Sequence, residues 1–391
     1  MFSAVLVTGP RQVGKTTLLQ HIFPSANHVT MDEPLLRETA VESPNAFLKA
    51  NPPPLFVDEV QKAPGLFEPV KAAIDASRKK GLFFFSGSQQ FNMMEQVTES
   101  LAGRVGVLTL LGLSLRERAG ASYVPPFLPS PDYVTQRRKA GPLFPAEEAW
   151  NAIWRGSLPE IVVEKNFSWE KFYASFVNTY LERDIHQLVN IGDTIKFTRF
   201  LRLVAARTGQ LLNLSTIAAD SEISVPTAQR WLSVLTASHL VYLLQPYSVN
   251  VTKRVVRTPK LYFLDTGLAA YLLGWLTPDV LRKGALSGAF FETFVISEIV
   301  KSFYNDGVLN PPLYFYRDKE QHEIDLLIDV NGALHPVEIK SHSDPSPKDI
   351  RSFSLIDQIA GTQRGEGGVV CLYEKPQPLS ESDLVIPFGY L

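Results

Sequence analysis

Gly9-Pro10-Arg11-Gln12-Val13-Gly14-Lys15-Thr16 decides how the first part of this chain is read, because it stands between the apolar run Ala4-Val5-Leu6-Val7 and a helix-like stretch from Thr17 to Phe23. The spacing G-x-x-x-x-G-K-T is a P-loop pattern. A strand that feeds a glycine-rich loop and then a helix points several backbone N–H groups and a helix N-terminus at one spot, and a polyphosphate is the natural occupant. The letters alone are weak; the strand before them and the helix after them supply the physical reason.

Two further apolar strands follow. Pro54-Leu55-Phe56-Val57 ends in Asp58-Glu59, and Gly81-Leu82-Phe83-Phe84-Phe85 ends in small polar residues up to Ser88, with a helical segment from Leu66 to Arg78 between them. Continuous apolar strands separated by helices predict a parallel sheet covered on both faces, with its ligand at the carboxyl ends of the strands. The chemistry then gives each residue a task. Gly9, Pro10, Arg11, Gln12, Val13, Gly14, Lys15, Thr16 and Thr17 form the cradle, in which Lys15 neutralises β- and γ-phosphate oxygens. Thr16 and Asp58 hold Mg²⁺, and Glu59 orients or deprotonates the attacking water. Ser88 can bond that water or the γ-phosphate, and Arg104 can meet transition-state charge in its own site or in a neighbouring subunit's. ATP and Mg²⁺ are the expected cofactors.

Composition bounds the rest. The chain has 391 residues, 45% hydrophobic and 20% charged, as expected of a globular protein with real cores. Its 38 Lys plus Arg against 40 Asp plus Glu give a net charge of −2, so contact with DNA would need a local basic patch. The one cysteine, Cys371, lies in the apolar run Val369 to Leu372 and reads as a buried small residue, which fits a reducing cytoplasm. No basic leader precedes the first strand, and Val105 to Leu115 is broken by Thr109, Gly112 and Ser114 and falls short of the roughly 18 residues of a span. No membrane association is expected.

Prolines crowd the stretch from Pro125 to Pro145, which predicts a surface excursion or an insertion between elements. From Ala146 to about Val189 the periodicity is helical, with Trp150, Ile153 and Trp154 on one face and Phe172, Phe176, Val177 and Tyr180 on another. This reads as a helical lid, with Arg183 and Asp184 as an ion pair or a nucleotide sensor. From Phe197 to Leu273 the order of segments is that of a winged helix. Ser224 caps a recognition helix from Val225, Thr227, Gln229 and Arg230 face outward, and the wing carries Lys253, Arg254, Arg257 and Lys260 against phosphates.

A second constellation closes the chain. Glu292 lies on a helix, Asp325 in His322-Glu323-Ile324-Asp325, and Glu338-Ile339-Lys340 on a strand whose alternation puts Glu338 and Lys340 on one face. Carboxylates to bind Mg²⁺ and a cation beside them are what metal-assisted phosphodiester hydrolysis requires.

Taken together, GPRQVGKTT, LFVDEVQKAP, FFSGSQQF, ESLAGRV, YLERDI, YFLDTGLAAYL, FETFVISEI, YRDKEQHEIDLLID and PVEIKS cover nearly the whole chain. In these marks the chain resembles the prokaryotic AAA-type ATP-binding proteins whose P-loop domain is followed by a C-terminal domain of uncharacterised function. The resemblance implies an α/β P-loop NTPase sheet with a helical lid, then a winged-helix segment, then an α/β restriction-endonuclease-like domain similar to the PD-(D/E)XK nuclease fold, with Glu292, Asp325, Glu338 and Lys340 at its matching positions. The expected divisions are 1–122, 123–190, 191–275 and 276–391. The chain departs from the family in starting almost directly on its first strand, without the helical lead that often helps form the base pocket.

The expected function is a cytoplasmic Mg²⁺-dependent ATPase whose nucleotide state repositions its winged-helix and nuclease-like regions on DNA, with homo-oligomerisation if Arg104 acts in trans. Two rivals stand beside it: an ATP-licensed nuclease, and a non-hydrolysing ATP-bound scaffold that recruits a protein partner.

Overall fold

The computed structural model describes residues 2–77, 79–87, 100–164, 166–180, 194–248, 258–359 and 361–391. They fall into two compact units, one of residues 1–111 with 237–239, the other of 112–236 with 240–391.

The first unit is a five-stranded sheet of β1 (Ala4–Thr8), β2 (Asn27–Thr30), β3 (Leu55–Asp58), β4 (Phe83–Ser86) and β5 (Val105–Thr109), in the order β2-β3-β4-β1-β5. Every pairing is parallel. Side chains alternate between faces along a strand, and here both faces are apolar. Leu6, Val57, Phe83 and Phe85 join one core with Ala40, Phe47, Val70 and Ile74 from the helices α2 (Pro34–Glu42), α3 (Pro44–Ala50) and α4 (Phe67–Ser77). Val7, Phe56 and Phe84 pack on the other face with Leu19 of α1 (Lys15–Ile22). The parallel register, with Val7 opposite Ser86 and Val57 opposite Phe85, brings Thr8, Asp58 and Ser86 to one edge.

The second unit begins with α5 (Leu115–Arg118), α6 (Pro131–Lys139), α7 (Ala149–Arg155), α8 (Pro159–Val163) and α9 (Trp169–Tyr180). The proline-rich stretch is not the surface excursion its composition suggests. Pro131 stands at the first turn of α6, where its missing N–H costs nothing, and Ser130 caps the helix. Phe127, Tyr133 and Arg137 are buried, and the Tyr133 hydroxyl donates to the Tyr390 carbonyl at 2.9 Å. The aromatic helices read as a lid are likewise built into this unit. Trp154 donates to the Trp275 carbonyl at 2.9 Å, and Tyr173 donates to Asp265 at 2.8 Å.

The winged-helix order is present as α10 (Thr194–Ala206), β6 (Gln210–Leu211), α11 (Leu214–Asp220), α12 (Val225–Ala237), β7 (Val241–Pro246) and β8 (Lys260–Phe263). Ser224 accepts from the Thr227 backbone N–H at 3.2 Å and caps α12. Ala228, Trp231, Leu232 and Leu235 bury one face of that helix, and Trp231 meets Phe197 and Phe200 edge-on at 5.0 and 5.4 Å. After α13 (Thr266–Leu272), α14 (Pro278–Lys283) and the long, buried α15 (Ser287–Asn305), the chain forms β9 (Leu313–Arg317), β10 (Glu323–Val330), β11 (Ala333–Ile339), β12 (Gln363–Arg364), β13 (Gly367–Cys371), β14 (Gln377–Pro378) and β15 (Asp383–Pro387). The parallel pairing of β7 with β9, Gln245 opposite Tyr314, joins the winged hairpin to these strands in one ten-stranded sheet.

Candidate functional site

The P-loop leaves β1 through backbone that only glycine tolerates. Gly9 has φ +135, and a Cβ there would lie 1.9 Å from the Leu110 carbonyl oxygen. Gly14, with φ 88, opens α1 from the left-handed region. Lys15 is 8% exposed, and its ammonium donates to the carbonyls of Gly9 at 3.0 Å and Pro10 at 2.6 Å, folded back over the loop. The Thr16 hydroxyl donates to both oxygens of Asp58, at 3.0 and 3.1 Å. Ser86, at the end of β4, donates to the same carboxylate. Glu59 follows in left-handed backbone, φ 55, and accepts from the Gln61 amide.

One expectation changes here. Ser88 lies outside the described residues, and a hydroxyl on Asp58 is supplied by Ser86. Arg104 sits at the other end of the sheet: its carbonyl accepts from Ala4, where β1 begins, and its guanidinium holds Asp75 at 2.6 and 3.0 Å. At about 3.3 Å per strand residue, β1 separates it from the loop by more than its side chain can span. A role for Arg104 in its own site is therefore withdrawn.

The carboxylates of the last third do come together, but as an ion-paired cluster. Glu292, on α15, accepts from the Tyr262 hydroxyl at 2.6 Å and from the Lys260 ammonium at 3.0 Å on the same oxygen. Lys260 also stands 2.5 Å from Glu323, whose other oxygen lies 3.7 Å from Arg317. Antiparallel pairing of β10 with β11 lets Asp325 accept the Ile339 backbone N–H at 2.9 Å, with Lys340 at 3.7 Å. Glu338 takes Lys340 at 2.6 Å on one oxygen and the Ser352 hydroxyl at 2.7 Å on the other.

Burial and the nearby Asp325 push Glu292 up to about 7, against the pull of Lys260 and Tyr262. The same two causes push Glu338 up to about 8, against Lys340 and Ser352. Burial disfavours the charged Lys260, but Glu292, Asp325 and Glu323 outweigh it and raise its pKa.

Lys260 was expected on the wing, against phosphate. It is 4% exposed and committed to two carboxylates, so that assignment is corrected. Lys253, Arg254, Arg257, Arg183 and Asp184 lie outside the described residues. A divalent ion needs several oxygen lone pairs aimed at one point, and Glu292, Asp325 and Glu338 do not offer that set as they stand. Among the described residues, the group of three possible ligands with all ligand atoms within 4.8 Å of one another is instead Asp318, Glu320 and His322, at the turn between β9 and β10.

A family model described as an AAA domain matches residues 2–119, and two domains of unknown function, DUF8612 and DUF4143, match 146–279 and 287–391. An uncharacterized protein of Mycobacterium tuberculosis, Rv2008c, and one of Mycobacterium bovis, Mb2031c, are each 30% identical over 387 residues, covering 98% of this chain and 79% of the relative. The chain belongs to the AAA-type P-loop ATP-binding proteins. Among solved structures it is similar to the Walker-type ATPase PABY2304 of Pyrococcus abyssi, at 15% identity over 69% of this chain and 91% of that one, with a TM-score of 0.41.

In this AAA-type chain every P-loop residue named above, with Asp58 and Ser86, falls inside the AAA match. The carboxylate cluster draws on two matches, Lys260 and Tyr262 from the middle one and Glu292, Glu323, Asp325, Glu338 and Lys340 from the last. Sequence reading missed Ser86, Tyr262 and Ser352. Ser86 was legible as the last residue of an apolar strand; Tyr262 and Ser352 carried no local signal. Among the described residues no helix is long and apolar enough to cross a membrane.

Proposed function

We propose that the chain binds and hydrolyses MgATP at the P-loop and uses nucleotide state to change how its second unit engages DNA. The observation that carries the hydrolytic part is the convergence of the Thr16 and Ser86 hydroxyls on Asp58, beside the loop that holds Lys15. That all-oxygen set suits a hard cation such as Mg²⁺. Thr16 would hold the ion directly and Asp58 from behind it, and the ion would neutralise β- and γ-phosphate charge.

The protein's own part is positional. Lys15, released from the Gly9 and Pro10 carbonyls, meets phosphate oxygens, backbone N–H groups of residues 11–16 cradle them, and Glu59 orients water for in-line attack. Arg104, remote from its own loop, would complete a neighbour's site only in a homo-oligomer.

DNA is the partner this reading favours, supported by the exposed Gln229 and Arg230 on α12, a capped helix in recognition position. The test is ATP turnover with and without duplex DNA, beside Lys15→Ala. Turnover unchanged in Lys15→Ala would defeat the hydrolytic assignment; turnover indifferent to DNA would defeat the coupling.

A further inference from the structure

We propose that Lys260 supplies, from the winged hairpin, the positive charge that a divalent cation supplies in a metal-dependent phosphodiesterase, so that the cluster of Glu292, Glu323, Asp325 and Glu338 is closed to metal while β8 holds its place. This rests on the nuclease-like reading of the cluster and not on the P-loop site.

An ammonium taken out of water is costly unless carboxylates and hydrogen bonds compensate it. Lys260 is 4% exposed and meets that condition by standing between Glu292 of α15 at 3.0 Å and Glu323 of β10 at 2.5 Å, with the Phe315 ring 5.7 Å away. It thus bridges oxygens from two separate elements, as a bound cation does.

Tyr262 shares its face of β8, because the two residues are two apart on a strand. It donates to the Glu292 oxygen that Lys260 also uses, leaving that oxygen little capacity for a third ligand. On the far side Lys340 and Ser352 occupy both oxygens of Glu338. Glu292, Glu323, Asp325 and Glu338 are thereby each engaged on at least one oxygen from within the chain.

The two closing residues arrive on a winged-helix strand, whereas the acids they close belong to the C-terminal strands and α15.

The test uses nucleotide-free full-length protein carrying Asp58→Asn and His322→Ala, which remove the P-loop's own metal carboxylate and one of the three possible ligands at the β9–β10 turn. Mn²⁺ binding is followed by calorimetry and by the shift of the thermal midpoint. In this background the parent should show negligible Mn²⁺ binding, and Lys260→Met should bind at least roughly tenfold more tightly and gain thermal stability from the ion. Adding Glu292→Gln to Lys260→Met should abolish the gain. Equal Mn²⁺ affinity with and without Lys260, or no gain in the variant, overturns the proposal. If Lys260→Met does not fold without metal, Lys260→Gln keeps a hydrogen-bond donor near Glu292 without the charge. Recovery of either variant on refolding with Mn²⁺ supports the inference, and recovery of neither defeats it. None of these outcomes depends on ATP turnover, so failure here is separable from failure of the P-loop assignment.

Discussion

The hydroxyl of Thr16 donates to the carboxylate of Asp58 at 3.0 Å although the two residues are 42 positions apart. One lies in the first turn of the helix after the P-loop and the other ends the third strand of the sheet. Their meeting brings two separate sequence motifs to one edge of the sheet.

Breaking that edge should separate nucleotide chemistry from folding. Thr16→Ala and Asp58→Asn are each expected to lower MgATP turnover by roughly a hundredfold or more, since the lost groups act on developing phosphate charge. Ser86→Ala should cost less, about tenfold, because it removes one hydrogen bond to Asp58 and leaves the carboxylate in place. Steady-state turnover beside circular dichroism measures both; unchanged turnover in a folded Asp58→Asn would sink the assignment.

Asp265 is expected to be the costliest polar residue of the second unit. Its carboxylate caps α13 through the Leu268 N–H at 2.7 Å and accepts from the Ser157 N–H at 2.6 Å, the Ser157 hydroxyl at 2.9 Å and the Tyr173 hydroxyl at 2.8 Å. Asp265→Ala leaves all of these donors without their acceptor and should destabilise by about 3 kcal/mol or more. Tyr173→Phe removes one of them and should cost about 1 kcal/mol. Urea unfolding of both variants checks the ranking, and a reversed order would refute it.

Stability should also depend on pH through the carboxylate cluster. Glu292 and Glu338, pushed up to about 7 and about 8 chiefly by burial, hold protons in the native state that the unfolded chain releases near 4.5. The native state binds more protons in that interval, so their contribution is full below the unfolded value and is lost as pH rises through 7 and 8. Denaturant midpoints from about pH 6 to about pH 9 should fall in the parent and fall less in Glu292→Gln/Glu338→Gln. Parallel slopes would contradict this.

Cys371 should be inert in the folded protein. It is fully buried on β13, and burial, assisted by Asp349 and Asp344, pushes its thiol up to about 11. A thiol reagent near neutral pH should therefore modify it on the order of a hundredfold more slowly than in denaturant. Rapid labelling of native protein would show the strand to be open.

Much of the fold was legible because its signals are local. Ala4–Thr8 with the P-loop, Leu55–Asp58 and Phe83–Ser86 announce buried parallel strands by uninterrupted apolar runs, and Ser224 before Val225-Pro226 announces a helix start. The proline-rich stretch misled because Pro131 is a poor residue inside a helix and a good one at its first turn, and only the chain path distinguishes the two positions.

By itself the sequence determined the phosphate loop, its lysine and threonine, the acid at the end of β3, and the two-residue alternation that pairs Glu338 with Lys340. These depend on neighbours a few bonds away, whose geometry the backbone imposes. Only the tertiary structure decided that Arg104 lies at the wrong end of the sheet, that Ser86 is the hydroxyl on Asp58, and that Lys260 is a buried counter-ion and not an exposed phosphate contact. Which end of a strand a residue occupies, and whether water or a carboxylate faces it, is set by pairing between segments distant in the chain. A charged side chain carries no local mark of which of those it will meet.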